Sequence, residues 1–293
     1  MSLVSLNSIL SDARKNHYAV PAFDVSNYEM IHAVIDVCQE ERAPAIFMLL
    51  KPDMADRGQE YLISIAKTAA GLADIPVCIH LDHATQFDDI VSCMDAGATS
   101  VMYDGSMLPY EQNMENTRRV VEASHQRGIS VEAELGHVTD AIGGLSERGT
   151  ASENEPSIDA CLTDPGQVVE FAKNTGVDCL AVAIGTAHGV YIATPTLHLE
   201  RLKEIEAVSP CPLVLHGGSG TPDADIQKAI ALGITKINIY SDLLAAMNKG
   251  LKDKLNAIDN LSAWPVVVWS VARPAMRDVV RKKIRAFGAN GRL

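Results

Sequence analysis

Residues 76–105, PVCIHLDHATQFDDIVSCMDAGATSVMYDG, contain an apolar run, a helical stretch and a second apolar run. The runs span 76–81 and 100–103, and the stretch from about Phe87 has apolar residues at helical spacing. Both runs are almost continuously apolar, which is typical of parallel strands that are buried on both faces. Because parallel strands need a crossover connection, the segment indicates a strand, helix and strand of one parallel sheet.

The same alternation continues along the chain, with eight apolar runs separated by stretches of helical periodicity. The runs cover 18–23, 44–50, 76–81, 100–103, 129–135, 178–184, 212–215 and 235–239. The helices are predicted to begin near Tyr28, Gln59, Phe87, Glu111, Asp164, Thr196, Pro222 and Ser241. Eight such units predict an α/β fold, a (β/α)8 TIM barrel. An open, doubly wound sheet is the alternative, because alternation alone does not show closure.

Two segments fall outside this repeat. The polar stretch 139–158 predicts a mobile loop, and an extra C-terminal helix is predicted from Pro274 to about Phe287. Since barrels of this length often stand as single domains, we expect residues 1–293 to form one barrel domain.

The composition excludes several classes of protein. The chain has 25 Lys and Arg against 37 Asp and Glu, a net charge of −12 that repels nucleic acid. The six cysteines are far apart in the sequence, which predicts reduced thiols rather than a disulfide framework. The sequence shows neither a signal-peptide pattern nor an 18-residue apolar run, so we expect a cytoplasmic protein without membrane contact.

Polar side chains follow most of the predicted strands, where barrel enzymes carry their chemistry. In chain order they are Asp24, Asp82, His83, Asp104, Glu132, Glu134, His188, His216 and Asn238. Three imidazoles at separate strand ends match the ligand set of a catalytic zinc ion. We interpret His80 as a packed or supporting residue, since it shares a strand face with Asp82. A salt bridge across the barrel is the structural alternative for Glu132 and Glu134.

Two glycine-rich segments follow the sixth and seventh runs: residues 185–189, GTAHG, and residues 216–220, HGGSG. Backbone N–H groups in such loops, with a helix N-terminus near Pro222, bind phosphate without net positive charge. Barrels commonly hold phosphate after their last two strands. A tight turn is the alternative explanation for any single glycine.

Seven segments together resemble the class II, zinc-dependent ketose-bisphosphate aldolases, of the tagatose- and fructose-bisphosphate type. They are YAVPAFDVSN, HLDHA, MYDGS, VEAELG, AVAIGTAHGVY, PLVLHGGSG and KINIYSD, and the similarity covers nearly the whole chain. The resemblance implies reversible cleavage of a ketose 1-phosphate or ketose bisphosphate to dihydroxyacetone phosphate and an aldehyde. It also implies one catalytic Zn²⁺ in each chain and assembly into a homodimer or homotetramer.

The resemblance also implies roles for individual residues. It assigns His83, His188 and His216 to zinc, and Asp82 to proton transfer at the aldehyde oxygen. Asp104 and Glu134 fall at alternative or second-metal positions. The residues implied to contact the dihydroxyacetone phosphate part are Gly189, Gly217, Gly218, Ser219, Asn238 and Ser241. The family's second acid lies on the loop after the fifth strand, where Glu147 is the candidate.

Three departures from the family concern the aldehyde end. Asp24 stands where the family usually has Asn, and the family's Ser and Gly phosphate contacts after the second strand are replaced by residues 50–53, LKPD. The loop after the fifth strand is also longer. We therefore expect a phosphate on carbon 1 and a different group at the far end, near Asp24 and Lys51.

Two other functions stay open. A Schiff-base aldolase needs a buried lysine on a barrel strand, and Lys51 and Lys236 are the strand-associated lysines. A non-catalytic, sugar-phosphate-binding partner subunit would keep the barrel without the chemistry. The complete set of three histidines with Asp82 argues against that second alternative.

Overall fold

The computed structural model describes residues 2–140, 157–189, 195–260 and 262–293. Its strands are β1 Val20–Asp24, β2 Ala45–Leu49, β3 Val77–Ala84, β4 Ser100–Tyr103, β5 Ser130–Leu135, β6 Thr139–Asp140, β7 Cys179–Val182, β8 Ala187–His188, β9 Leu213–Leu215 and β10 Ile234–Ile239. Within these residues, eight parallel strands form a closed barrel in the order β1, β10, β9, β7, β5, β4, β3, β2. The barrel closes where Val20 of β1 lies beside Lys236 of β10. The predicted TIM barrel is confirmed, and the open sheet was the wrong alternative.

Helices follow the barrel strands and cover the outside. They are α1 Leu6–Lys15, α2 Tyr28–Glu40, α3 Gly58–Leu72, α4 Phe87–Ala96, α5 Tyr110–His125, α6 Pro165–Thr175, α7 Leu199–Val208, α8 Asp223–Ala231, α9 Ser241–Asn256 and α10 Pro265–Ala286. Local signals set several starts: Asn27 accepts a hydrogen bond from the Met30 N–H, and Asp164 accepts one from Gly166. Among the described residues, no helix is long and apolar enough to cross a membrane.

The core lies on both sides of the barrel wall. Every residue of β1, β2 and β7 is buried, which explains why these runs are almost continuously apolar in the sequence. Phe23 and Phe47 are among the largest fully buried side chains of the core. Barrels of this kind carry their chemistry at the C-terminal ends of the strands.

Helix α1, which the sequence analysis missed, lies at the N-terminal end of the strands. Its Leu6 and Leu10 are fully buried, and the Val4 N–H just before it donates to the Val77 carbonyl at the start of β3. The N-terminal end of the barrel is thereby covered, so a ligand site belongs at the C-terminal end.

The C-terminal helix is confirmed, but its predicted start was wrong: α10 begins at Pro265, and Pro274 lies inside it. Pro265 stands in the first turn, where a missing N–H costs nothing, and was the overlooked start signal. An internal proline removes one helical hydrogen bond. Packing of α10 against α9 and α2 maintains the helix across Pro274.

Arginines at every fourth position of α10 pair with acidic residues of α2 or its C-terminal end. Arg273 contacts Glu29, Arg277 contacts Asp36, and Arg281 contacts Glu40. Arg285 continues the series with Glu41. This arginine ladder joins the last helix to the first strand–helix unit.

The predicted mobile loop 139–158 lies mostly outside the described residues. Its first two residues form β6, which pairs with β8 in a separate two-stranded sheet. At its other end a short 3-10 helix covers Ile158–Cys161. The mobility of the loop stays a prediction.

Candidate active site

The predicted polar residues gather at the C-terminal end of the barrel. Asp24 is the last residue of β1, and Asp104 directly follows β4. Glu134 lies near the end of β5, His216 directly follows β9, and Asn238 lies near the end of β10. All of these side chains are buried. Residues more than 200 positions apart therefore meet in one site.

Strand β3 contributes two adjacent residues because its backbone is distorted. Regular alternation would place Asp82 and His83 on opposite faces of the strand. His83 instead has a φ of 46°, and the register with β4 shifts between Leu81 and Ala84. Such a bulge re-aims side chains. It brings the His83 ring to His188 and His216 while Asp82 stays in the barrel interior.

The imidazoles of His83, His188 and His216 form a compact cluster. The ring centroid of His83 lies 4.7 Å from that of His188 and 4.6 Å from that of His216. One nitrogen from each ring lies within 4.8 Å of the others. Three imidazole nitrogens at this separation fit the tetrahedral site of a zinc ion.

The extra sheet of β6 and β8 positions His188. His188 lies beyond the end of the barrel strand β7, on β8, where it pairs in register with Asp140 of β6. His188 was predicted to lie near the end of the sixth strand, but this small sheet was not predicted.

Carboxylates hold two of these imidazoles. The His83 Nδ1 lies 2.9 Å from Asp104 Oδ2, and the His216 Nε2 lies 2.8 Å from Glu132 Oε1. We assign the ring hydrogens to these nitrogens, which directs the opposite ring nitrogens toward a metal. The donor set is therefore three imidazoles, two of which are oriented by carboxylates, as is common at zinc sites.

The site residues are electrostatically coupled. Burial disfavours the His216 imidazolium, but hydrogen bonds with Glu132 and Glu134 outweigh it and raise the pKa of His216 to about 10. Burial likewise opposes the charge of His83, and Asp82 with Asp104 outweighs it, so the pKa of His83 is raised. The carboxylates thus favour positive charge at the imidazole cluster, which a bound cation would also supply.

Asp104 and Glu134 lie with His83 in a second group whose candidate ligand atoms are within 4.8 Å of one another. Asp104 Oδ1 also accepts hydrogen bonds from the Ser106 N–H and hydroxyl, and the Ser106 hydroxyl contacts His137 Nδ1. Asp104 is therefore placed either to orient His83 or to bind a metal directly. Sequence reasoning missed Ser106 and gave His137 no role.

Asp82 lies beside the imidazole cluster at the base of the site. Asn238 Nδ2 donates to its two carboxylate oxygens at 3.3 and 3.1 Å. Burial disfavours the carboxylate, but the charges of His83 and Lys236 outweigh it and lower the pKa of Asp82. Asp82 is thus ionised and positioned to accept a proton.

The glycine-rich segment after β9 approaches β10 closely. The Gly218 N–H donates to the Asn238 carbonyl at 3.2 Å, and a Cβ on Gly218 would lie 2.4 Å from Ile237 Cγ2. Only glycine fits there. Ser219 Oγ accepts the backbone N–H groups of Tyr240 and Asp242, which places it against Ser241 at the start of α9.

The helix start near Pro222 is a weaker anion site than expected. The first turn of α8 carries Asp223 and Asp225, whose charges oppose a bound anion. Gly189 has a φ of 92°, as a glycine-dependent turn requires. The first turn of α9 carries one carboxylate, Asp242, which is paired with Lys283, and Ser219 joins this helix start to the glycine-rich segment.

One expected residue does not join this cluster. Lys51 opens the short 3-10 helix Lys51–Met54 after β2, and its exposed side chain pairs with Asp89 of α4. Glu147 lies outside the described residues. Asp24 is buried at the end of β1, on the rim.

The structure also reveals a buried ammonium below the site. Lys236 is fully buried in β10, two residues before Asn238 and on the same strand face. The alternation in residues 235–239, TKINI, was the available signal, since one lysine in an apolar strand needs a buried partner.

Comparisons with known proteins agree with this geometry. The family model described as "Fructose-bisphosphate aldolase class-II" matches residues 4–292. The YdjI aldolase from Escherichia coli K12 is 34% identical, with a TM-score of 0.85, covering 99% of this chain and 98% of that chain. A putative fructose-1,6-biphosphate aldolase from Coccidioides immitis is 28% identical, with a TM-score of 0.84, covering 98% and 96%.

A fructose-bisphosphate aldolase from Campylobacter jejuni shares the fold, at 22% identity and a TM-score of 0.81, covering 100% of this chain and 97% of that chain. The barrel, the imidazole cluster at its C-terminal end and the match over residues 4–292 lead to one assignment. The chain belongs to the class II fructose-bisphosphate aldolase family and is an aldolase, a carbon–carbon lyase.

Proposed function

We propose that this aldolase is zinc-dependent and reversibly cleaves a ketose 1-phosphate or ketose bisphosphate to dihydroxyacetone phosphate and an aldehyde. The observation that carries the proposal is the cluster of three buried imidazoles beside the Asp82 carboxylate. Family membership supports the reaction class. The substrate and the metal are inferred from the site residues.

Zinc would be held by His83, His188 and His216, with Asp104 and Glu132 orienting two of the rings. When bound, Zn²⁺ supplies a Lewis acid that stabilises the negative charge developing on the ketone oxygen. A second divalent ion at Asp104 and Glu134 is an alternative that metal counting distinguishes.

Asp82 would accept the proton of the C4 hydroxyl as the C3–C4 bond breaks. The electron pair of that bond passes to C3, so the C4 carbon leaves as an aldehyde and an enediolate remains. Asp82 returns the proton to the aldehyde oxygen in the condensation direction. We assign the protonation of C3 to Glu147, by family resemblance.

The phosphate on carbon 1 would be held by the glycine-rich segments and the start of α9. The contributing residues are Gly189, Gly217, Gly218, Ser219, Asn238 and Ser241. The backbone N–H groups and the positive end of α9 supply the potential that an acidic protein lacks overall.

At the far end of the substrate we propose a group other than phosphate. The relatives from Coccidioides immitis and Campylobacter jejuni are named for fructose bisphosphate. Here the carboxylate of Asp24 would face a second phosphate, and like charges at close range disfavour binding. Lys51 would instead neutralise a carboxylate if its pairing with Asp89 gives way.

A Schiff-base mechanism is disfavoured by the surroundings of Lys236. Burial opposes the ammonium, but Glu132 and Asp82 outweigh it and raise the pKa of Lys236. A Schiff base needs a neutral amine as the nucleophile. Lys51 is exposed and ion-paired, so it also lacks that activation.

The decisive experiment incubates the zinc-loaded protein with dihydroxyacetone phosphate and a panel of aldehydes. We expect condensation that is abolished by a chelator, restored by zinc and unaffected by borohydride. Inactivation by borohydride in the presence of substrate would instead identify the Schiff-base alternative. Binding without turnover of any aldehyde would favour the non-catalytic partner subunit.

We also propose a cytoplasmic homodimer or homotetramer. All six cysteines are buried free thiols, as in a reducing compartment. Four apolar side chains are exposed near the start of α10, and groups of exposed apolar side chains mark protein–protein contacts; they are Trp264, Val266, Val267 and Val271. Light scattering during size exclusion measures the assembly, and a monomer at micromolar concentration would contradict it.

A further inference from the structure

A lysine ammonium lies inside the barrel below Asp82. Lys236 is fully buried, and its Nζ donates to Glu132 Oε2 at 2.9 Å and to Asn238 Oδ1 at 2.7 Å. Asn238 in turn donates to Asp82 through Nδ2. A continuous hydrogen-bonded chain therefore runs from the ammonium to the carboxylate.

We propose that Lys236 is a positioning residue that fixes Asp82 by holding the side-chain amide of Asn238 in one orientation. The inference rests on the proposed function, because it concerns the residue assigned to proton transfer. Lys236 itself lies one residue removed from Asp82 in this chain of hydrogen bonds and makes no contact with substrate in the proposal.

The chemistry of the amide explains why a lysine is needed. An asparagine side chain has one acceptor and one donor end, and it can turn to exchange them. An ammonium has only hydrogens to donate, so it fixes the carbonyl end of Asn238 toward itself. The NH2 end must then face Asp82. A reversed amide would place its carbonyl oxygen against the carboxylate.

Neutralisation of Glu132 is the competing role for Lys236. Glu132 is buried and ionised, and loss of its cation would leave an unpaired charge inside the barrel. A Lys236→Met variant alone would therefore confuse misfolding with mispositioning. The double variant Glu132→Gln/Lys236→Met removes both charges together, so neither is left unpaired, and the glutamine keeps a carbonyl oxygen to accept from His216 Nε2.

The test compares the unmodified protein with Glu132→Gln/Lys236→Met, each with Asp82 and with Asp82→Asn, at saturating zinc. With Asp82 present, we expect the double variant to lower kcat about 10- to 100-fold, the size of loss that misplaced catalytic groups produce. In the Asp82→Asn background we expect less than about a twofold further loss of kcat, since the group being positioned is already disabled. KM should change little, and any fall in zinc affinity, measured by chelator competition, should be the same in both backgrounds.

A matched control is Lys283→Met, because Lys283 is also buried and pairs with Asp242 away from Asp82. Equal losses from Glu132→Gln/Lys236→Met in both backgrounds, or no loss in either, would overturn the proposal. A crystal structure of Glu132→Gln/Lys236→Met gives a readout independent of activity. The Asn238 Nδ2 contact to Asp82 should be lost, and its retention would also overturn the proposal. Absence of aldolase turnover in the unmodified protein would refute the proposed function instead, and leave this structural comparison to judge the positioning.

Discussion

Replacement of Asp104 by asparagine separates the two roles that its position allows. Asp104 Oδ2 accepts from His83 Nδ1 at 2.9 Å, while Oδ1 accepts from the Ser106 N–H at 3.1 Å and its hydroxyl at 2.7 Å. Asparagine has one carbonyl oxygen, so after Asp104→Asn either His83 or the Ser106 N–H faces an NH2 group. If Asp104 orients His83, the zinc site should weaken without disappearing.

The expected size follows from the kind of contact that is lost. Loss of a carboxylate that orients a metal-bound imidazole typically costs 10- to 100-fold in metal affinity. This corresponds to about 1.4 to 2.7 kcal/mol in binding free energy. The measurement is competition for zinc with a chromophoric chelator, combined with metal counting by mass spectrometry.

Ser106→Ala provides the matched control. It removes the hydroxyl that donates to Asp104 Oδ1 and leaves the contact with His83 intact. We expect its zinc affinity to stay within a few-fold of the unmodified protein. The reasoning is wrong if the unmodified protein binds two zinc ions and Asp104→Asn binds one with unchanged affinity, because Asp104 would then be a direct ligand.

Four further predictions concern the same site. Alanine at His83, His188 or His216 should abolish zinc binding and turnover together, while the circular dichroism spectrum stays that of a folded barrel. Full zinc occupancy in all three variants would exclude the site. Asp82→Asn should keep its zinc and lose about 10²- to 10⁴-fold in turnover, as expected when a proton-transfer group is removed, so near-normal turnover would take Asp82 out of the mechanism. Because the pKa of His216 is raised to about 10 in the metal-free protein, that imidazole carries a proton at pH 7 that zinc must displace. Zinc affinity should therefore rise with pH, about tenfold per unit for each proton released, and a calorimetric titration showing equal affinity at pH 6 and pH 8 would contradict this. Finally, ketose 1-phosphates with a neutral or carboxylate terminus should show a higher kcat/KM than fructose and tagatose 1,6-bisphosphates. If a bisphosphate instead has the highest kcat/KM, at about 10⁴ M⁻¹s⁻¹ or more, Lys51 and its neighbours form a phosphate site.

The barrel was predictable because its strands are buried on both faces. The eight apolar runs correspond to the eight barrel strands within one to a few residues at each end. Helix α1 was missed because it precedes the repeating pattern. The start of α10 was misplaced because the helix was predicted to begin at Pro274, whereas Pro265 lies in its first turn. Local signals thus identify repeating elements better than the elements at either end.

The candidate site was predictable as a set of residues but not as a geometry. Strand ends located His83 and His216, yet strand alternation alone would have turned His83 away from Asp82. The left-handed backbone at His83 turns its ring toward the other two imidazoles. A β-bulge of this kind depends on the neighbouring strand rather than on local sequence. The role of Lys236 was hidden for a similar reason, since its partner Glu132 is 104 positions away.

During synthesis, the barrel cannot close until its last strand has been made. Strand β1 pairs with β10, more than 200 residues later, and the arginine ladder joins α10 to α2 across a similar separation. At typical synthesis rates of about 5–20 residues per second, β1 waits roughly 10 to 40 s for its second neighbour. During that interval one edge of a buried, apolar strand has no partner. His216 and Asn238 emerge near the end of the same interval, so the nascent chain cannot assemble the site before it completes the barrel.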